Sequence, residues 1–269
     1  MIKKAINNLI GTIRFKLSAA NNPFFIAYYK YGYRPKKGSL SEFLDEYSKS
    51  KIKDFTVIQI GANDGITNDP IHKFIKRDKW KGVLLEPQSY VYEHYLKRIY
   101  QRNKGIHTLC AAIGEKDGKM PLYKIGFCNM RWATGLASFY KPNVEKAFSS
   151  GLVQAKCSKY NIEIPTQEKR IVTEDVLVIS PQSLLKENNI SSIDLLQIDV
   201  EGYDYEVIKI FDVEKSKPRV IIFEHAHLSG SDMESCHEHL KRNNYTLKSF
   251  GGNTLAMLHP LVDFDKYFN

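Results

Sequence analysis

The chain has 269 residues, of which 43% are hydrophobic and 26% charged, so it can fold around a full core and is not disordered. It has no apolar run near the ~18 residues that a membrane-spanning helix needs. The net charge of +9 raises the question of anionic partners, but the basic residues are scattered and nucleic acid is not the partner we expect.

Residues 1–50 are predicted to form an amphipathic and aromatic helical extension. Isoleucine and leucine recur at helical spacing over residues 2–18, and an aromatic and basic stretch follows as far as Lys37. Two interpretations stay open: the extension packs on the core or on a second subunit of a homodimer, or it lies on an anionic membrane. Asn7, Asn8 and Arg14 interrupt the apolar stretch after Lys3 and Lys4, and no convincing cleavage site follows, so we expect a cytoplasmic protein and not a secreted one. The inner face of a membrane is the second location, because basic amphipathic faces are common on soluble proteins.

Residues 51–269 are predicted to form one α/β domain, with a substrate-side insertion over 115–190. Apolar runs predict strands at 55–60, 82–85, 106–113, 171–178, 193–199, 219–224, 245–250 and 254–258. Helices are predicted at 68–77, 89–102, 181–188, 203–211 and 232–242, and a β-hairpin around Asp117-Gly118. Runs that are apolar throughout are typical of parallel strands covered on both faces. We therefore predict a doubly wound, Rossmann-like sheet with its ligands beyond the carboxyl ends of the strands.

The loop after the first strand is predicted to bind a cofactor that carries positive charge and no phosphate. It contains Gly61, Asn63, Asp64 and Gly65, and it lacks the residues of a phosphate-binding P-loop. The Asp64 carboxylate would repel a pyrophosphate but suits an ammonium or a sulfonium, as in S-adenosylmethionine. Glu86, at the end of the second strand, is placed to accept hydrogen bonds from ribose hydroxyls, and Ala111 leaves room for a flat adenine.

Acidic and histidine side chains follow the fourth and fifth of the strands predicted to be parallel. Asp199 and Glu201 follow one strand, while Glu224, His225 and His227 follow the other. Because a buried charge is costly unless it is paired, acids at such positions are usually functional or salt-bridged.

Two segments together resemble the FkbM family of methyltransferases: IDVEGYDYEVI at residues 198–208 and VIQIGANDG at residues 57–65. The resemblance covers roughly residues 52–260. It implies a class I methyltransferase fold, a mostly parallel seven-stranded sheet with an antiparallel last strand. It also implies S-adenosylmethionine held by Gly61, Asn63, Asp64 and Glu86, with transfer to a hydroxyl oxygen. Family members act on sugars and natural-product hydroxyls, so we expect a sugar, a glycan or a related small molecule as the acceptor.

Two mechanisms stay open for activating that hydroxyl. In the first, Asp199 with Glu224 or His225 holds Mg²⁺ or another divalent cation, which acidifies the acceptor. In the second, His225 or His227 is the general base and Asp199 orients it. Arg131 and Trp132, in the segment 127–139, are predicted to line the acceptor site together with Glu201.

A different class of function is also open. The chain could be a basic nucleic-acid-binding protein or a catalytically silent cofactor-binding module. The first predicts an affinity that falls steeply with salt, although no recognised nucleic-acid motif is present. The second predicts cofactor binding without turnover.

Overall fold

The structure is a computed structural model that describes residues 2–51, 54–261 and 263–268. Its strands are β1 (Thr56–Ile60), β2 (Lys81–Leu85), β3 (Ile106–Leu109), β4 (Ala112–Ile113), β5 (Gly118–Ile125), β6 (Ile171–Ile179), β7 (Leu195–Ile198), β8 (Val220–Glu224), β9 (Tyr245–Phe250) and β10 (Asn253–Leu258).

The helices in the first half of the chain are α1 (Ile2–Ala19), α2 (Pro23–Ala27), α3 (Leu40–Ser50), α4 (His72–Asp78), α5 (Ser89–Val91), α6 (Lys97–Tyr100) and α7 (Arg131–Thr134). Those in the second half are α8 (Lys141–Ser149), α9 (Leu152–Tyr160), α10 (Pro181–Glu187), α11 (Asp204–Ile210), α12 (Val213–Ser216) and α13 (Gly230–Arg242). π-Helical turns at Tyr28–Gly32 and Tyr92–Leu96 continue α2 and α5, and 3₁₀ turns occur at Gln167–Lys169 and Asp265–Tyr267. No helix in the described part of the chain is long and apolar enough to cross a membrane.

Seven strands form the main sheet in the order β3-β2-β1-β7-β8-β10-β9. The first five in this order pair in parallel, whereas β10 runs antiparallel to both β8 and β9. The order reverses between β1 and β7, where Ile60 lies opposite Ile198. In such sheets the ligand site lies outside the carboxyl ends of the strands at this reversal. The predicted doubly wound sheet with an antiparallel last strand is confirmed.

Alternate residues of each strand pack into different layers, so the sheet has a hydrophobic core on both faces. In β1, Val57 packs with α3, α4 and α6, and Ile58 packs with α10, α11 and α13. Both side chains are fully buried. The apolar runs in the sequence are explained by this double coverage.

Helix α3 shares the core of the first of these layers. Phe43 and Tyr47 are buried against Phe55, which stacks on Trp80 at 3.9 Å between ring centroids. The division of the chain into an extension and a domain at residue 50 is not tested by this packing and stays a prediction.

The insertion has its own small sheet, in the order β4-β6-β5, with α7, α8 and α9 around it. The predicted hairpin around Asp117-Gly118 is wrong, because β4 and β5 each pair with β6 and not with each other. The predicted strand at 106–113 is likewise divided. Its first half, β3, extends the main sheet, and its second half, β4, starts the small one.

Helix α4 begins four residues later than the predicted helix at 68–77. The Asp69 carboxylate accepts hydrogen bonds from the backbone N–H groups of Ile71 and His72, at 2.8 and 3.1 Å. Asp69 therefore holds the turn that leads into α4, and the chain enters the helix later than predicted because of this extra turn.

Candidate functional site

A cavity of about 340 Å³ opens at the carboxyl ends of β1, β2 and β7. Residues after β1 and β2 line one side, the loop after β7 lines another, and the insertion covers it from above. The lining residues used below are Gly61, Asn63, Glu86, Ala111, Ala112, Arg131, Phe139, Tyr140, Asp199, Glu201 and Tyr203.

The loop after β1 passes very close to the loop after β7. Gly61 has a φ of +78°, and a Cβ built on it would lie 1.9 Å from the backbone oxygen of Asp199. Only glycine fits at that distance, because any side chain atom would overlap the neighbouring backbone. The contact joins the two loops that form the floor of the cavity.

The loop does not turn all its predicted ligands into the cavity. Gly61 and Asn63 line it, but Asp64 and Gly65 are not among the lining residues. The Asp64 carboxylate accepts from the N–H groups of Ile66 and Thr67 and forms an ion pair with Arg131 at 2.9 Å. Asp64 thus stabilises the loop. That Asp64 and Gly65 bind a cofactor stays a prediction.

Glu86 is a buried carboxyl group in the cavity wall, with 2% of its surface exposed. It accepts hydrogen bonds from the backbone N–H groups of Asn63 and Gln88, both at 3.0 Å, and from the Gln88 side chain at 3.2 Å. Burial raises the pKa of Glu86 to about 7. A carboxylate has about four lone-pair positions, so one acceptor position remains for a ligand hydroxyl.

Small side chains form the wall beside Glu86. Ala111 and Ala112 both line the cavity and are buried. The neighbouring Cys110 is half-buried, with its thiol 3.7 Å from the backbone oxygen of Pro87, whereas Cys128, Cys157 and Cys236 are buried. Burial raises the pKa of the Cys110 thiol to about 11. The role of Ala111 beside an adenine stays a prediction.

Two acidic side chains and a histidine converge after β7 and β8, and of these three residues Glu201 lines the cavity. The Glu201 and Glu224 carboxylates lie 3.4 and 3.7 Å from Nε2 of His227. The candidate ligand atoms of these three residues all lie within 4.8 Å of one another. Oxygen and nitrogen donors at this spacing form a set that could hold a divalent cation or relay a proton.

Asp199 belongs to the same electrostatic group. Its side chain reaches solvent at the cavity surface, yet the surrounding protein and the Glu224 carboxylate raise its pKa to about 6. Glu201 is likewise exposed, yet the surrounding protein and the Asp199 charge raise its pKa to about 7. Both carboxyl groups therefore titrate near neutral pH, where general bases act most effectively.

His225 does not join this group. Its ring atom Nδ1 lies 2.9 Å from the hydroxyl of Thr254 on β10, and its backbone N–H donates to the backbone oxygen of Gly252. The structure places His227, not His225, beside Glu224. Glu201, Glu224 and His227 are therefore a second candidate set, and the set of Asp199 with Glu224 or His225 stays a prediction. The cause is local: β8 ends at Glu224, and the chain then turns, with the Leu228 N–H donating to the His225 carbonyl.

The predicted acceptor residues are only partly brought together. Arg131 and Glu201 line the cavity, as do Phe139 and Tyr140 from the same insertion. Trp132 is absent from the lining and packs instead against the small core of the insertion. Helix α7 turns neighbouring side chains to different sides, so Arg131 and Trp132 could not both face the site.

Sequence reasoning missed Asp204, a fully buried acid at the start of α11. Its carboxylate accepts from the N–H groups of Gly202 and Glu224 at 3.3 and 3.2 Å, which ties the loop after β7 to the end of β8. Burial, reinforced by Asp199, raises its pKa to about 7. The signal was its place five residues after Asp199, at a helix start below the cavity.

The sheet order, its antiparallel last strand and the cavity at the reversal define a Rossmann-like, class I methyltransferase fold. The model of the methyltransferase FkbM domain matches residues 59–247, which is more than half of the chain. The chain belongs to the FkbM methyltransferase family.

Several solved structures are similar to this chain at low sequence identity. The methyltransferase FkbM from Methylobacillus flagellatus KT is 12% identical, with a TM-score of 0.45 over 81% of this chain and 50% of that chain. This chain thus spans about half of its length. The N-terminal domain of human METTL16 in complex with SAH is 12% identical, with a TM-score of 0.40 over 82% and 70%. The precorrin-6y C5,15-methyltransferase from Geobacter metallireducens GS-15 is 13% identical, with a TM-score of 0.36 over 84% and 93%. No curated protein matches the chain.

Proposed function

We propose that this chain transfers a methyl group from S-adenosylmethionine to a hydroxyl oxygen of a sugar, a glycan or a related small molecule. One observation carries the proposal: the buried Glu86 and the carboxyl groups of Asp199 and Glu201 line the same cavity, and Glu201 lies 3.4 Å from His227. Glu86 is suited to binding the nucleoside of the cofactor, and the acids around Glu201 are suited to activating the hydroxyl of an acceptor bound next to it.

The cofactor is argued from the chemistry of the wall. Glu86 would accept from a ribose hydroxyl, Ala111 and Ala112 would bound the adenine, and the loop at Gly61 allows a close backbone approach. S-Adenosylmethionine supplies an electrophilic methyl group on a sulfonium and carries no phosphate. The carboxylates along the cavity favour such a cation and would repel a nucleotide phosphate.

The chain's own contribution is orientation and removal of the hydroxyl proton. The new carbon–oxygen bond would form as the methyl–sulfur bond of the cofactor breaks, which leaves S-adenosylhomocysteine, and the proton of the acceptor hydroxyl would pass to Glu201 or to His227. The 3.4 Å contact between these two residues allows either to hold it. Positioning of the reactants can itself contribute about 7–11 kcal/mol in well-oriented systems.

A divalent cation is the second way to activate the hydroxyl. Glu201, Glu224 and His227 would bind it, and the cation would acidify the acceptor oxygen. One imidazole among two carboxylates fits Mn²⁺ or Fe²⁺ better than Mg²⁺, which prefers oxygen ligands alone. Loss of activity on chelation, restored by one metal, would separate this mechanism from the metal-free one.

The acceptor is expected to be uncharged. Asp199 and Glu201 line the cavity, and like charges placed together oppose binding of an anion. Arg131 at the same cavity is already paired with Asp64. This charge distribution favours a neutral hydroxyl compound over the phosphate backbone of a nucleic acid.

Calorimetric titration with S-adenosylmethionine tests the cofactor. Glu86→Gln keeps the size of the side chain but places an NH2 group against one of the two backbone N–H donors, so we expect binding at least ~10-fold weaker. Glu93→Gln is the matched control, because Glu93 is exposed and pairs with Lys97 on the next helical turn, away from the cavity lining. Absence of binding to the wild type would overturn the proposal, and binding without turnover on any hydroxyl acceptor would indicate a silent module.

A further inference from the structure

Helix α1 turns apolar side chains away from the protein. Leu9, Ile10 and Ile13 have 60%, 57% and 47% of their surface exposed. Contacts with the body come from roughly the opposite side of the helix, where Phe15 packs edge-on against Tyr95 and Ser18 is buried. This is the reverse of an amphipathic helix that packs its apolar face on a core. Ile2 and Ile6, predicted on the same apolar face, have side chains outside the described part.

The helical segment after α1 repeats the arrangement with aromatic residues. Phe24, Tyr28 and Tyr31 are 84%, 57% and 66% exposed and recur at helical spacing. Tyr29, between them in sequence, is buried and stacks edge-on against His72. The segment is thus fixed to the body by one side and leaves its aromatic side uncovered.

These six residues form a concentrated surface, which we call the N-terminal apolar patch. Among the described residues, thirteen large hydrophobic side chains are exposed, and six of them lie between Leu9 and Tyr31. Single exposed apolar residues are normal on soluble proteins, whereas a concentration of them marks a binding surface.

The charge around the N-terminal apolar patch identifies the kind of partner. The first 41 residues contain eight basic side chains and no acid, and Glu42 is the first acidic residue of the chain. Lys16, Lys30, Arg34, Lys36 and Lys37 are exposed. A second copy would bring the same positive charge against this surface, whereas anionic lipid headgroups would neutralise it.

We propose that the N-terminal apolar patch binds the surface of an anionic lipid bilayer. Aromatic and aliphatic side chains enter the interfacial layer while the lysines and arginines contact headgroups. The patch is held firmly to the catalytic domain, since Nζ of Lys76 donates to the Ser18 carbonyl at 3.1 Å and to the Asn21 side chain at 2.7 Å. This proposal does not depend on the proposed activity.

Sedimentation with vesicles tests the proposal on the full chain. We expect the wild type to pellet with vesicles of phosphatidylcholine and phosphatidylglycerol in equal parts, less so at high salt, and not with phosphatidylcholine alone. Ile13→Glu and Phe24→Glu should each weaken binding ~10-fold or more, because a buried apolar side chain is lost and a negative charge gained. Leu177→Glu is the matched control, since Leu177 is 55% exposed on β6 and should be replaceable without effect.

Two results would overturn the proposal. One is a wild-type chain that stays in solution with every vesicle, and the other is an equal loss of binding in Leu177→Glu. If light scattering instead gives a dimer that Ile13→Glu converts to monomer, a second copy covers the patch. Thermal melting of each variant checks folding, and because the replaced side chains are exposed we expect unchanged melting temperatures.

Discussion

The contact between Gly61 and Asp199 gives the sharpest prediction at the scale of single residues. Gly61→Ala adds a Cβ that would lie 1.9 Å from the Asp199 oxygen, on a residue whose φ is +78°. Gly38 has a φ of +69° with nothing within 4 Å of the added atom, so Gly38→Ala isolates the effect of φ alone. We expect ~1–2 kcal/mol lost at Gly38 and a further ~1–3 kcal/mol at Gly61. Urea denaturation measures both, and equal losses would contradict the close contact.

The carboxyl groups at the cavity predict the direction of the pH profile. Asp199 and Glu201, with pKa values raised to about 6 and about 7, must lose their protons before they can accept one or bind a cation. We expect kcat/KM to rise with pH through this range, and the step attributed to Glu201 to disappear in Glu201→Gln. Glu234→Gln, on the exposed side of α13, should retain the full profile. A profile that falls across this range would exclude a carboxylate base.

The residues of the site were predictable to different degrees. Gly61, Glu86 and Asp199 follow directly from strand ends, because parallel strands bring those positions to one edge. Which of His225 and His227 lies beside Glu224 could not be predicted, since it depends on how the chain turns after β8. The position of Trp132 could not be predicted for a related reason. Whether a residue of a short helix faces the site or the core depends on how the helix is rotated about its axis, and the sequence pattern does not give that rotation.

At the scale of elements, α4 carries a buried histidine that makes stability depend on pH. His72 lies between the hydroxyls of Ser18 and Tyr100, both at 3.1 Å, and burial lowers its pKa well below the usual value. The unfolded chain binds a proton near pH 6.5 that the folded chain does not, so stability is present above that pH and lost as the pH falls below it.

His72→Gln tests this contribution. We expect the variant to lose part of the decline in unfolding free energy that the wild type undergoes between pH 7 and pH 5, in steps of up to about 1.4 kcal/mol per pH unit. Chemical denaturation at several pH values measures the decline. His94→Gln, on an exposed helix surface, serves as the comparison. An identical decline in all three proteins would show that His72 contributes nothing to it.

Elements that depend on local sequence could be predicted, whereas those that depend on a distant partner could not. The parallel strands were predictable because burial on both faces leaves an uninterrupted apolar run, as in β7, whose four residues are all buried. The hairpin around Asp117-Gly118 was wrong because the partner of β5 is β6, which begins at Ile171, far along the chain. Turn residues indicate where a chain reverses but not which strand it then joins.

At the scale of the whole molecule, the carboxyl end of the sheet collects acids whose pKa values are raised. Glu86, Asp199, Glu201 and Asp204 all keep their protons to higher pH in the folded chain. Their contribution to stability is therefore complete below their unfolded pKa values and is lost as the pH rises toward about 7. His72 acts in the opposite direction, so the two effects must be separated by variants.

Asp204→Asn separates them, because the difference between variant and wild type cancels the contribution of His72. Asparagine keeps one acceptor oxygen for the backbone N–H groups but never ionises. We expect the variant to gain stability relative to the wild type as the pH rises from ~4 to ~7, by up to about 1.4 kcal/mol per pH unit. Melting curves across that range give the difference, and one that does not change with pH would remove Asp204 from the explanation.

The distribution of thiols makes the protein ready for spectroscopy without prior mutagenesis. Cys110 is half-buried beside the alanine wall, and the other three cysteines are buried. Access would therefore direct a fluorophore or a fluorine-bearing tag to Cys110, next to Ala111 at the edge of the cavity, and because the pKa of this thiol is raised to about 11 the reaction would need strongly alkaline solution or a long incubation. The probe would sense what occupies that space, so the chain carries its own reporter position for screening small molecules.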